Sequence, residues 1–179
     1  MNNQNQIARL IHSNKKEIKF FIIFILLFIF LQTIHFAVRS RVTPFLVYKL
    51  TTSVSSKVIN LITPAEKTSY QQEYIVSGNF RLKIARGCEG IEGIFILIAA
   101  ILAYPVGFKS KLKGLGGGIL IIYCFNIARI AGLYYTLKYK PYLFDMMHMY
   151  VGQTVIIIIA VIYFIAWLNM ITSAHGKTS

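Results

Sequence analysis

The chain has 179 residues, of which 56% are hydrophobic, and its mean hydropathy is +0.60. These values exclude an ordinary soluble domain, because several apolar runs approach or exceed the length that spans a bilayer. The formal net charge is +13, but the basic residues flank apolar runs and form no nucleic-acid module. We therefore expect membrane lipids, and no nucleic acid, as partners of a single membrane domain covering residues 1–179.

Residues 20–38 form the first predicted membrane span. Basic residues precede it and no small-x-small cleavage site follows it, so we interpret it as an uncleaved anchor rather than a signal peptide. Residues 41–63 carry Lys49, Lys57 and many Ser and Thr residues among apolar positions. This composition favours an amphipathic helix lying in the membrane interface, with a further span as the alternative.

A β-hairpin is predicted next, because the sequence QQEYIVSGNFRLKIAR alternates in polarity around Gly78-Asn79. Three more spans follow at about 89–108, 115–137 and 148–171, and Pro141 suits the first turn of the last helix. The predicted fold class is an all-α integral membrane protein with about four transmembrane helices. The predicted fold also includes an interfacial helix and a small hairpin, which together occupy residues 41–87.

The orientation of these spans follows from the basic residues. Under the positive-inside rule, the basic N-terminus and the lysine cluster at Lys109, Lys111 and Lys113 should both be cytoplasmic. Residues 39–87 carry eight Lys and Arg residues of their own, which weighs against this arrangement without reversing it. We expect a multi-pass protein of the cell (cytoplasmic or inner) membrane, with residues 41–87 on the extracytoplasmic side.

This topology brings three reactive side chains to one side of the membrane. Cys88 begins the second span, Arg129 lies about 12 Å inside the outer end of the third, and His148 lies about two turns into the last helix. A helix N-terminus and the neighbouring Arg86 favour a nucleophilic thiolate at Cys88. Imidazole is the natural proton acceptor, and Arg129 supplies charge and donors for an oxyanion. The three residues suggest thiol-based acyl transfer.

Each of these residues also has a structural interpretation. Arg129 could form an ion pair with Glu92 or Asp145, and Glu92 could either orient His148 or pair with Arg129. Cys124 is expected to be a packing residue, and we regard His12, His35 and His175 as incidental. The spacing of the histidines and acids fits no known ligand set, so we expect no metal and no cofactor.

The motifs resemble those of the exosortase and archaeosortase family. The resemblance rests on Cys88-Glu89-Gly90 at a span mouth, on the Asn-x-x-Arg pattern from Asn126 to Arg129, and on His148 before the last span. It covers about residues 80–170. The Cys-x-Gly-x-Glu pattern and the compact length look most like the exosortase H branch.

This resemblance implies a membrane-embedded cysteine protease and transpeptidase, a hydrolase that acts in protein sorting. Its partners would be exported proteins ending in a short motif, an apolar span and a basic tail, and the acyl acceptor could be water or a lipid or glycan amine. Cys88 would be the nucleophile, His148 the base and Arg129 the transition-state stabiliser, with Asn126, Glu89 and Glu92 as supporting candidates. Glu89 stands where many members have a small polar residue. The alternative is a noncatalytic membrane assembly or transport subunit in which the cluster is a polar helix contact.

Overall fold

The computed structural model describes residues 15–84 and 87–176. Its α-helices, in chain order, are α1 (Lys15–Thr43), α2 (Val54–Ile62), α3 (Ile91–Ala103), α4 (Phe108–Tyr139), α5 (Phe144–Met146) and α6 (Gly152–Gly176). Within the described ranges, three helical segments are long and apolar enough to cross a membrane, namely Lys15–Val42, Phe108–Tyr139 and Pro141–Ser173, and α3 is a shorter apolar helix. The expectation of about four membrane helices is therefore consistent with the structure.

Helix α3 is the central helix of the bundle and packs against α1, α4 and α6. Its 13 residues span about 20 Å, which is less than a bilayer core, so the helix found within the predicted span 89–108 is shorter than that prediction. Small residues allow its neighbours to approach closely. A Cβ added to Gly93 would lie 2.5 Å from Ile156, and one added to Gly118 of α4 would lie 2.2 Å from Leu97.

Helix α4 is longer than a span requires. Its 32 residues extend about 48 Å, compared with roughly 30 Å for the hydrocarbon core. The C-terminal part of α4 therefore continues into a second layer of structure, which we call the cap (residues 44–83). There Ile130 and Tyr134 of α4 pack in one buried cluster with Ile59, Ile75 and Leu82 of the cap.

The cap begins without a break in the helix. The chain passes from α1 through wider π-helical turns over Pro44–Ser53 into α2, and the hydroxyls of Thr51 and Thr52 donate to carbonyls five residues earlier. The buried positions recur every three or four residues, singly or as adjacent pairs, as on one helical face: Val47, Thr51 and Thr52, Ser55 and Ser56, and Ile59. The predicted amphipathic helix is present, and its buried face packs against the rest of the cap and α4.

The cap also contains a three-stranded antiparallel sheet in the order β1 (Ser69–Gln71), β2 (Tyr74–Ser77) and β3 (Phe80–Lys83). The predicted hairpin is confirmed: β2 and β3 are joined by Gly78-Asn79, with Gly78 at φ +56°. Strand β1 was not predicted. The turn between β1 and β2 places Gln72 at φ +54°. A glutamine in the sequence does not predict this left-handed conformation, which glycine adopts most readily.

Glu66 attaches the cap to the end of α4. Its carboxylate is buried and accepts hydrogen bonds from Tyr134 at 2.6 Å, from Tyr139 at 3.0 Å and from the ammonium of Lys138. The pKa of Glu66 is lowered from 4.5 to about 2. The hydrogen bond from Lys138 contributes most to this shift and the one from Tyr134 contributes next. Glu66 therefore stays ionised at neutral pH and holds the layer that leads to Cys88 against α4.

Candidate active site

Cys88 lies in the short turn between β3 and α3, in the layer where the cap meets the bundle. The turn uses two glycines with left-handed backbones, Gly87 at φ +89° and Gly90 at φ +73°. Gly90 immediately precedes α3, so the thiol stands at the N-terminal end of that helix, where the backbone dipoles favour negative charge. The Cys88 residue is only 3% exposed. The second residue expected to favour the thiolate, Arg86, lies outside the described residues.

His148 reaches Cys88 from the last helical run. The Sγ atom of Cys88 lies 3.4 Å from Nδ1 and 3.9 Å from Nε2 of His148. His148 belongs to a π-helical turn over Met147–Val151 between α5 and α6, and such turns occur often at functional sites. The ring of Phe144 stacks on the imidazole with an interplanar angle of 4° and a centroid distance of 5.5 Å, which fixes its plane.

Arg129 of α4 completes the cluster. Its Nη2 lies 4.0 Å from Sγ of Cys88 and 3.5 Å from the backbone carbonyl oxygen of His148. The side chain passes over Gly152, where an added Cβ would stand 2.3 Å from Nε of Arg129. Only a glycine at position 152 therefore leaves room for the guanidinium to lie between α4 and α6.

Asn126 connects the thiol turn to the arginine. This side chain is buried, its Nδ2 donates to the carbonyl oxygen of Cys88 at 2.9 Å, and its Oδ1 accepts from Nη1 of Arg129 at 3.4 Å. A Cβ added to Gly90 would lie 2.9 Å from Cγ of Asn126, so the glycine permits this contact. The two ends of the Asn-x-x-Arg pattern thus contact the same cysteine, one through its backbone and one at its sulfur.

The acidic contacts considered for Arg129 and His148 are not found among the described residues. Among the described residues, no ion pair within 4.0 Å joins Arg129 to Glu92 or Asp145, whereas Lys83 pairs with Glu73 and Lys138 with Glu66. No hydrogen bond links Glu92 to His148 in this part of the chain either. Both structural roles considered for Glu92 are thus unsupported by its contacts, because its position on α3 turns it toward α1 instead.

The two glutamates line a feature that sequence reasoning missed. A pocket of about 430 Å³, here called the polar pocket, lies between the C-terminal part of α1 and the Cys88 turn. Its lining residues are Gln32, Thr33, His35, Phe36, Arg39, Gly87, Glu89 and Glu92. His35 was expected to be incidental, yet it belongs to this pocket. The available signal was the recurrence of polar residues at 32, 35 and 39, which lie on one helical face.

The cluster brings together a thiol, an imidazole and a guanidinium, which are the groups needed for nucleophilic attack, proton transfer and oxyanion stabilisation. Cys124, by contrast, is exposed on α4. Within the described ranges, no group of three or more His, Cys, Asp and Glu residues is arranged to hold a metal ion.

Comparison with known families gives a match that covers most of the chain. A family model described as transmembrane exosortase matches residues 12–165, which is most of the chain. The matched range covers most of the bundle, the whole cap and all three residues of the cluster. It confirms the resemblance that the motifs suggested. No curated protein and no solved structure is similar enough to match.

Proposed function

The chain belongs to the transmembrane exosortase family, and we propose that it is a membrane-embedded cysteine protease and transpeptidase. It would cleave the C-terminal sorting signals of exported proteins through a thioester and transfer them to a cell-envelope acceptor. The observation that carries the proposal is the approach of His148 to Cys88 at 3.4 Å, with Arg129 4.0 Å from the same sulfur. An exported substrate would meet this cluster from the extracytoplasmic side of the cell membrane.

The proposed acylation gives each of the three groups a distinct role. His148 accepts the thiol proton, and the Cys88 thiolate attacks the carbonyl carbon of the scissile peptide. The carbonyl oxygen becomes an oxyanion, which the fixed charge and donors of Arg129 stabilise. When the carbon–nitrogen bond breaks, His148 returns its proton to the leaving amine, and the substrate remains on Sγ as a thioester.

Two further contacts support this assignment of roles. Arg129 also donates to the backbone of His148, and Asn126 donates to the backbone of Cys88. Base, nucleophile and cation are therefore tied to one another before substrate arrives. Such preorganisation lowers the reorganisation cost of the reaction.

The test is direct detection of the acyl-enzyme. Purified protein in lipid vesicles would be mixed with a peptide that ends in a motif, an apolar span and a basic tail, quenched in acid and examined by mass spectrometry. The proposal predicts a mass adduct on Cys88 that hydroxylamine removes, as a thioester requires. A noncatalytic assembly subunit would bind the peptide without forming the adduct, and that result would reject the enzyme.

A further inference from the structure

The polar pocket is lined by a polar face on an otherwise apolar helix. Gln32, His35 and Arg39 lie three and four residues apart on α1, so they project to the same side, whereas the preceding part of α1 exposes large apolar side chains. Polar and ionisable groups in a membrane helix are costly and usually mark a functional site. At about 430 Å³, the pocket is within the size range of small-ligand sites.

The opposite wall of the polar pocket has unused capacity to accept hydrogen bonds. Oε2 of Glu92 is buried and has no hydrogen-bond partner within the described ranges, which is costly for a carboxylate oxygen. Glu89 is held in place because its Oε2 accepts from the backbone N–H of Gly87 at 2.7 Å. Among the described residues that line the pocket are two carboxylates and one guanidinium, that of Arg39, so this lining favours a ligand with positive charge and N–H donors.

The position of the polar pocket connects it with the thiol. Gly87 and Glu89 adjoin Cys88 in the chain, and neighbouring Cα atoms are only about 3.8 Å apart. Arg129 approaches this turn from α4 and His148 from the last helical run, while the pocket borders it from α1. A ligand in the pocket would therefore lie beside the residue that becomes acylated.

Resting on the proposed transpeptidase function, we propose that the polar pocket binds the primary amine that accepts the acyl group. The ammonium binds between Glu89 and Glu92, and Glu92 takes one proton to leave a neutral nitrogen. The nitrogen attacks the thioester carbon, a carbon–nitrogen bond forms, and the carbon–sulfur bond breaks with its electron pair passing to Sγ. The second proton of the nitrogen passes through His148 to the sulfur, which regenerates the Cys88 thiol, and Glu92 returns its proton to solvent.

The experiment measures the fate of the acyl group. The protein is placed in phosphatidylcholine vesicles with the tail peptide in three arms: no added amine, phosphatidylethanolamine in the vesicles, or glucosamine in solution. Mass spectrometry gives the ratio of amide product to hydrolysis product per tail released. We expect amide in an amine arm for the wild type, and a roughly 10-fold lower ratio for Glu92→Gln, because one charge-assisted hydrogen bond is lost.

Two further variants make the result specific. His35→Phe narrows the polar pocket from the α1 side and should also lower the ratio, whereas Glu73→Gln, a glutamate of the cap outside the pocket, should keep the wild-type ratio. Because the ratio is counted per tail released, a partly folded variant still reports. Amide formed from phosphatidylethanolamine identifies a lipid headgroup as the source, and amide formed from glucosamine identifies a soluble amine.

Two results would overturn the amine site while leaving cleavage intact. One is hydrolysis alone in both amine arms, and the other is a wild-type ratio in both Glu92→Gln and His35→Phe. Failure of the wild type to release any tail would instead contradict the proposed function together with this inference.

Discussion

The sulfur of Cys88 lies 3.4 Å from Nδ1 of His148, although 60 residues separate them in the chain. The contact depends on two irregular segments, the glycine-flanked turn before α3 and the π-helical turn before α6. Neither residue belongs to a regular α-helix, and Arg129, which does, touches both. The regular helices therefore hold in place the irregular segments that carry the two reacting groups.

Replacement of the thiol is expected to abolish activity. Cys88→Ala should leave the protein inserted and folded but unable to release a tail peptide, because no other nucleophile replaces the sulfur in the cluster. Cys124→Ser is the matched control, since Cys124 is exposed on α4 and should be dispensable. Abundance in membranes and peptide release would be measured together. Substantial release by Cys88→Ala would exclude the thioester mechanism.

Replacement of Arg129 tests its electrostatic role. Arg129→Lys keeps the charge but loses the planar fork that contacts the sulfur and the backbone of His148. Turnover should fall roughly 100-fold, the scale for loss of an oxyanion donor, while membrane abundance stays close to wild type. A combined Arg129→Ala and Glu92→Gln variant should not regain activity, because the two residues form no ion pair within the described structure. Recovery in that double variant would favour a structural role.

Gly152 offers a way to move Arg129 without replacing it. In Gly152→Ala the new Cβ would stand 2.3 Å from Nε of Arg129, so the guanidinium must shift. A displacement of this size near the reacting atoms should cost roughly 100-fold in turnover. The control is Gly132→Ala on α4, where an added Cβ meets nothing within 4 Å. Equal activity of the two alanine variants would mean that the position of Arg129 is not critical.

The orientation in the membrane can be tested with single cysteines in a protein that lacks the native ones. Asn79, at the exposed tip of the β2–β3 hairpin, and Lys109, at the opposite end of the bundle, are both exposed positions. A membrane-impermeant thiol reagent on intact cells should label Asn79→Cys, and should label Lys109→Cys only after the membrane is opened. The reverse pattern would place the cap in the cytoplasm, where it could not meet an exported substrate.

Much of the fold could be predicted because membrane helices and two-residue hairpins have strong local signals. Apolar length predicted the long helices, and Gly78-Asn79 predicted the turn. The position of Cys88, Arg129 and His148 on one side followed from alternating spans. Their contacts did not follow, because they depend on the left-handed Gly90 and on a π-helical turn, and neither has a distinctive sequence pattern.

The missed features share a physical cause, namely partners that are distant in the sequence. Glu66 looks like a residue of an exposed loop, and only the extension of α4 beyond the bundle supplies the tyrosines and lysine that bury it. His35 looks like an isolated polar residue until α3 places Glu92 opposite it. Helical spacing indicates which side chains share a face, but it does not identify what that face meets.

The attachment of the cap by Glu66 predicts a specific loss of stability in acid. The pKa of Glu66 is lowered from 4.5 to about 2 in the folded protein, chiefly by the hydrogen bonds from Lys138 and Tyr134. A group whose folded pKa is depressed stabilises the fold fully above its unfolded value, and this contribution is lost as the pH falls from about 4.5 toward 2. The midpoint of thermal unfolding in detergent should therefore decline through this window.

Glu66→Gln should lower the midpoint at pH 7 and flatten the decline, because the amide cannot titrate and leaves Lys138 without its carboxylate partner. Glu73→Gln is the control, because Glu73 makes only a 3.9 Å ion pair with the largely exposed Lys83, and it should keep the wild-type slope. If Glu66→Gln unfolds with the same pH dependence as the wild type, the acid sensitivity arises elsewhere and Glu66 does not anchor the cap through its charge.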